Sequence, residues 1–142
     1  IIMNFIQSIS TCMRKYVTFS GRATRSEFWW FYLFTVLVNL VATSQASSFV
    51  PALLDGQDMT ENESSYFLNN FFFLYLSTIT SLILLLPSLA VAVRRLHDVG
   101  RSGWWILIAF TVIGIIPLLI WYVTHTKDEE NIYGPNPKTE NA

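Results

Sequence analysis

Residues 66–93, YFLNNFFFLYLSTITSLILLLPSLAVAV, run for 28 positions without a charge and stop at RRLHDVGRSG, residues 94–103. A hydrocarbon core about 30 Å thick takes about 20 helical residues to cross, so this stretch is long enough to span a bilayer and continue beyond it. Ser77 and Ser81 form a small-xxx-small pair suited to close helix contact. Pro87 removes a backbone donor and is expected to kink the helix near its end. Two further uncharged runs flank this one. The first, 28–50, follows Thr24-Arg25-Ser26-Glu27, which has the form of a capping box. Within it Thr35, Asn39 and Thr43 recur at every fourth position, a polar stripe better buried against another helix than turned to lipid. The other run, 104–124, is interrupted by Gly114 and Pro117, so a re-entrant excursion competes there with a full crossing.

Composition agrees with a bilayer environment. Apolar residues make up 52% of the 142 residues and charged residues 13%, against about 45–50% and about 25% in soluble domains. Aromatics reach 15%, and the runs Phe28 to Tyr32 and Trp104-Trp105 read as interfacial belts. Toward the N-terminus, Phe5, Ile6, Ile9, Cys12, Met13, Tyr16 and Val17 fall at steps of three and four, with Gln7, Ser8, Ser10, Thr11, Arg14 and Lys15 on the other side. That pattern predicts an amphipathic helix over 3–18; its apolar partner is either the membrane interface or the rest of the protein. The expected architecture is therefore all-α, a polytopic membrane helical bundle in one domain over 1–142. It has an interfacial N-terminal amphipathic helix, three transmembrane helices over 28–50, 66–93 and 104–124, and a polar tail over 125–142.

The charges orient this arrangement. Seven of the nine Lys and Arg lie before the first span (Arg14, Lys15, Arg22, Arg25) or between the second and third (Arg94, Arg95, Arg101). The segment 51–65 carries Asp55, Asp58, Glu61 and Glu63 and no basic residue. The positive-inside bias then places the N-terminus and the 94–103 turn in the cytoplasm and the acidic loop outside. With three crossings the tail lies outside; with a re-entrant third run it returns to the cytoplasm.

Chemistry-bearing residues concentrate in two blocks at the cytoplasmic interface, and the candidates are Arg22, Arg25, Glu27, Arg94, Arg95, His97, Asp98 and Arg101. One reading is an anion site for lipid headgroups, with arginines as donor forks. The favoured one is a structural clamp, in which Asp98 pairs with Arg94 or Arg101 and Glu27 either completes its capping box or bridges to the other block. His97-Asp98 resembles the dyad of metal phosphohydrolases, but such sites need further His and Asp ligands, so no metal and no catalytic residue is assigned. No Asp, Glu, Lys or Arg lies mid-span, where ion-coupled transporters keep an ionisable group. Cys12 is the only cysteine, which excludes an internal disulfide.

Three segments carry a family resemblance: FSGRATRSEFWW (19–30), RRLHDVGRSGWW (94–105) and NIYGPNP (131–137). On these the chain resembles the bacterial inner-membrane family known as domain of unknown function 805. The resemblance implies a small helical inner-membrane protein and supplies no catalytic residues or substrate. The expected function is a non-enzymatic membrane component, an interaction or envelope-organising module with a basic cytoplasmic face. Its expected partners are anionic membrane lipids and either further copies of itself or another membrane protein, with no cofactor and no nucleic acid. The competing expectation is an oligomeric channel or small-solute transporter whose path the Thr35, Asn39 and Thr43 stripe would line.

Overall fold

A computed structural model of the chain describes residues 3–44, 61–126 and 130–140. Every extended element among them is helical: α1 (Phe5–Arg14), α2 (Arg25–Ser44), α3 (Glu61–Asp98), a 3-10 helix (Gly103–Phe110), α4 (Ile115–Val123) and α5 (Pro137–Glu140). Two compact units result, one gathering Ile1–Phe34 with Leu86–Ala142 and the other comprising Thr35–Leu85.

α1 begins at Asn4, whose side chain accepts from the Gln7 N–H at 2.9 Å while Gln7 Oε1 accepts from the Asn4 N–H at 3.1 Å. This reciprocal capping box satisfies two donors that the first turn would otherwise orphan. The helix ends at Arg14, short of the predicted 18. Its buried edge is Ser8, Thr11 and Cys12, so the inward face takes Cys12 from the apolar stripe and two residues from the polar side. Ile6 and Val17 remain 76% and 62% exposed. Ser8 and Thr11, expected on the outer polar side, turn inward instead. The Ser8 hydroxyl donates to the Ser26 carbonyl at 3.4 Å and Ser26 Oγ accepts from the Met3 N–H at 3.2 Å, so small polar side chains seat this helix against the start of α2. Phe5 adds edge-on ring contacts with Trp30 and Phe34.

α2 starts at Arg25, three residues before the uncharged run. Thr24 Oγ1 accepts from the Glu27 N–H at 3.2 Å, which is half of the expected capping box. Twenty residues reach about 30 Å at 1.5 Å per residue. α3 is longer than its uncharged stretch at both ends, beginning at Glu61 and finishing at Asp98. Cationic side chains in a last turn complement the helix dipole, and Arg95 and His97 occupy that turn. The segment expected as loop therefore turns helical from Glu61; its remainder, with Asp55 and Asp58, lies outside the described residues. The helix runs on for 11 residues past Pro87. It closes at Gly100, whose φ of 75° lies where L side chains are disfavoured. There the Gly100 N–H donates to the His97 carbonyl and the Arg101 N–H to the Leu96 carbonyl, the paired bonds of a Schellman ending.

In the unit over 35–85 a polar bridge joins two helices. Asn39 Oδ1 accepts from Ser81 Oγ at 2.6 Å, and Asn39 Nδ2 donates to the Thr35 carbonyl at 2.8 Å. Thr43 Oγ1 donates to the Asn39 carbonyl at 2.8 Å. The stripe seen in the sequence thus meets α3 through Asn39.

The run 104–124 is not one helix. The 3-10 segment stops at Phe110, a turn through Thr111 to Gly114 follows, and α4 then leads back toward the start: Trp105 and Trp121 meet with ring centroids 5.5 Å apart. Gly114 explains the reversal. Its backbone is ordinary helical, but an added Cβ would overlap the Ile108 carbonyl and Thr111 Oγ1. Replacing Gly114 with valine is expected to lower unfolding stability in detergent by about 1–3 kcal/mol, the usual cost of overpacking; an unchanged melting temperature would show that the turn tolerates the extra carbons.

Candidate functional site

The two charged blocks meet. Gly21, in the left-handed conformation at φ 84°, lets the chain turn from α1 into α2, and the Ala23 N–H donates to the Arg94 carbonyl at 3.1 Å. The end of α3 is thereby tied to the start of α2 through the backbone before any side chain is considered.

Around that link lies a buried ionic network. Asp98 is fully buried and shared: Arg22 Nε donates to Oδ1 at 3.0 Å and Arg95 Nη1 donates to Oδ2. Glu27 accepts from Arg94 Nη1 at 2.6 Å. Its side chain thus bridges to the other block rather than back to its own helix start. Three arginines against two carboxylates leave one positive charge in excess. That excess is met by backbone: Arg95 Nε donates to the Tyr122 carbonyl at 3.2 Å, and Nη2 to the carbonyls of Trp121 and Thr124. These are the unsatisfied acceptors at the end of α4, where the helix dipole is negative. Arg22 Nη1 reaches the Gly134 carbonyl at 3.3 Å. One network therefore holds the starts of α2 and the tail turn, the end of α3 and the return of the 3-10/α4 hairpin.

His97 belongs to the same assembly but touches no carboxylate there. Its Nδ1 lies 3.2 Å from the Gly21 carbonyl; a carbonyl only accepts, so Nδ1 carries the proton. Tyr133 stacks on the imidazole at 3.9 Å with planes 2° apart, and Asn131 Nδ2 donates to the His97 carbonyl at 2.9 Å. The Asn131–Gly134 bridge folds this tail into a tight turn. Phe28, expected in an aromatic belt, is buried and stacks on Tyr122 at 4.4 Å.

Two pairings expected for Asp98 do not form. Arg94 points to Glu27, and Arg101 is exposed, its guanidinium 5.1 Å from the centre of the Trp121 ring. Helical spacing puts both Arg94 and Arg95 beside Asp98; Glu27 takes Arg94, Arg95 is left to Asp98, and Gly100 turns Arg101 out of the helix. Arg25 stands outside the ionic core and donates from Nη1 to the Val123 carbonyl at 3.2 Å. Cys12, which the sequence leaves unassigned, approaches Glu27 with Sγ 3.8 Å from Oε1. Burial, reinforced by the Glu27 charge, pushes its thiol up to about 12, so it stays protonated at neutral pH. Among the described residues no group of three or more His, Cys, Asp or Glu is placed to hold a metal ion.

The family model for "Protein of unknown function (DUF805)" matches residues 16–135. The inner membrane protein YhaI of Escherichia coli K12 is 36% identical over 127 residues, 89% of this chain and 91% of its own length. The inner membrane protein YhaH of the same organism is 36% identical over 132 residues, 90% of this chain and 93% of its own. No solved structure matches the chain.

Removing Asp98 strips both Arg22 and Arg95 of their carboxylate. The Asp98→Ala variant is expected to unfold in detergent about 3–5 kcal/mol more easily than the parent, the range for breaking a buried pair, whereas Arg101→Ala should stay within about 0.5 kcal/mol. In the double variant Arg22→Ala/Asp98→Ala the loss should fall short of the sum of the singles. Additive losses would mean that the two side chains are not coupled.

Proposed function

The chain belongs to the family of proteins of unknown function DUF805, and from that footing we propose that it is a non-enzymatic integral protein of the inner membrane, an interaction module that presents an assembled basic face to the cytoplasm. The observation that carries this reading is the Asp98 network. It spends Arg22, Arg94 and Arg95 on holding segments together, and so turns what would be loose ends of membrane helices into a defined surface. The names of the E. coli relatives support placement in the inner membrane. Two helices, Arg25–Ser44 and Phe71–Asp98, are long and apolar enough to cross.

In this reading α2 and α3 are the two crossings. The 3-10/α4 hairpin enters the membrane and returns to the side from which it left, because both its ends lie at the same arginine network. The count of crossings is two rather than three, and the basic asymmetry then puts both α1 and the tail in the cytoplasm. α1 lies in the interface, with Ile6, Met13 and Val17 toward the acyl chains and its Ser8, Thr11 and Cys12 edge on the protein. A lining role for the Thr35, Asn39 and Thr43 stripe has less support, since the Asn39 amide is engaged at both its oxygen and its nitrogen.

Cysteines placed singly at Ser64 and Ser102 in a Cys12→Ala background should label from opposite sides of the membrane, and a reporter fused after Ala142 should read cytoplasmic. A periplasmic reporter would restore the third crossing. The module reading itself is tested by native mass spectrometry of the full chain from mild detergent: retained lipid or a stoichiometric protein partner is expected, and Asp98→Ala should release it. A bare monomer with neither would reject the module.

A further inference from the structure

Arg22 and Arg95 spend donors on backbone carbonyls as well as on Asp98, but Arg94 does not. It is 1% exposed, its Nη1 is taken by Glu27, and its Nε and Nη2 are buried without a hydrogen-bond partner among the described residues. Those two atoms make up one edge of the guanidinium, a fork whose parallel N–H groups match two oxygens of one phosphate at once. A whole fork is therefore idle. Buried charged donors are costly to leave unmatched, so the edge is suited to an acceptor from outside the chain. Glu27 stands at Nη1, off that edge, and Arg22, Arg94 and Arg95 set against Asp98 and Glu27 keep one positive charge in excess.

α1 lies over this pair. Cys12, wholly buried on its inner edge, puts Sγ 3.8 Å from Glu27 Oε1, and the Arg94 charge acts on the same thiol. The polar seat of α1 is light: the hydrogen bonds from Met3 and Ser8 to Ser26 are 3.2 Å and 3.4 Å long, at and beyond the upper end of the usual ranges. On its outer side Ile6 and Met13 stay exposed. Lifting α1 thus breaks few strong bonds, and its apolar side chains suit acyl chains.

We propose that the idle fork of Arg94 is a phosphate-binding site and that α1 is its lid: seated, α1 covers the fork, and lifted, it lets Nε and Nη2 take two oxygens of a phosphate group. A phospholipid headgroup and a soluble phosphate offer the same chemistry. The inference deepens the proposed function by naming a ligand class for the basic face, and it rests on that reading only for the lipid source, which requires α1 at headgroup level.

Cys12 reports the lid, because a thiol that is wholly buried and held protonated is inert until α1 lifts. A ligand that binds only the lifted state raises its population. Alkylation of Cys12 by N-ethylmaleimide, followed in the full chain in mild detergent, should therefore accelerate on the order of ten-fold at saturating ligand, the worth of a charge-assisted hydrogen bond. The probes are inorganic phosphate at constant ionic strength and phosphatidylglycerol; chloride and diacylglycerol, which lack the phosphate, should leave the rate unchanged. Arg94→Lys keeps a charge for Glu27 and loses the fork, so the acceleration should disappear, whereas Arg101→Ala, basic and exposed elsewhere, should retain it. Should Arg94→Lys fail to fold, Arg94→Met with Glu27→Leu carries the same test, since it replaces the pair with apolar side chains and leaves no charge unpaired. Acceleration by inorganic phosphate shows that the phosphate group suffices, and acceleration by the lipid alone makes the acyl chains part of the ligand; both support the lidded site. A rate that neither probe raises, or an acceleration in the Arg94 variant equal to the parent's, overturns it. That result leaves the two-crossing reading standing, since it is judged by the labels at Ser64 and Ser102 and by the reporter.

Discussion

A carboxylate with no access to water has to be matched by donors on every side, and Asp98 meets that demand with two arginines from different parts of the chain. Each ion buried near a membrane costs several kcal/mol in lost hydration, and attraction offsets this only when the geometry leaves no lone pair or proton idle. The segments around Asp98 are therefore not free to separate. Arg22 holds the turn into α2 and the tail, while Arg95 holds the end of the hairpin. The pair Arg94–Glu27 repeats the arrangement one residue away, but incompletely: Arg94 Nε and Nη2 are buried without a hydrogen-bond partner among the described residues.

The hairpin is the second consequence of that constraint. Carbonyls at the end of a short helix need donors, and Arg95 supplies them at Trp121, Tyr122 and Thr124. A protein with an apolar side chain at this position would have to satisfy those acceptors with water or extend α4. The arginine thus permits a helix of only nine residues to end where it does. Gly114 performs the complementary task at the other end, allowing the chain to pass its own backbone without a side chain in the way.

Much of the helical content was legible from the absence of charge. Runs without ionisable residues marked α2 and most of α3, because nothing else explains 28 consecutive uncharged positions. Helix ends were harder. Glu61 to Ser65 looked like loop because polar residues are common in loops, yet carboxylates suit a first turn equally well. The break in the third run was visible as Gly114 and Pro117, but hydropathy cannot say whether an interrupted run crosses or returns. The site was legible as a set and not as pairs. Asp98 and Glu27 stood out as the acids among the arginines, whereas their partners depended on which way α3 presented its last turn. Backbone carbonyls, which take up much of Arg95, leave no signature in a sequence because every residue has one. The face of α1 was misread for a related reason: Ser8 and Thr11 count as polar, but their small volume is what close approach to α2 requires.

The residues that meet at Asp98 are scattered along almost the entire chain, from Arg22 to Gly134. Synthesis delivers them in order. When α2 emerges from the ribosome, Asp98, the partner of Arg22, has yet to be made; when α3 follows, Asp98 arrives with Arg95 but without the carbonyls from Trp121 onward. Until the tail is made, these charges have to wait in the aqueous or headgroup layer. In the proposed two-crossing arrangement, hydration during that interval holds them on the side where they were made, so the helices would take their orientation from unpaired arginines that the finished protein conceals.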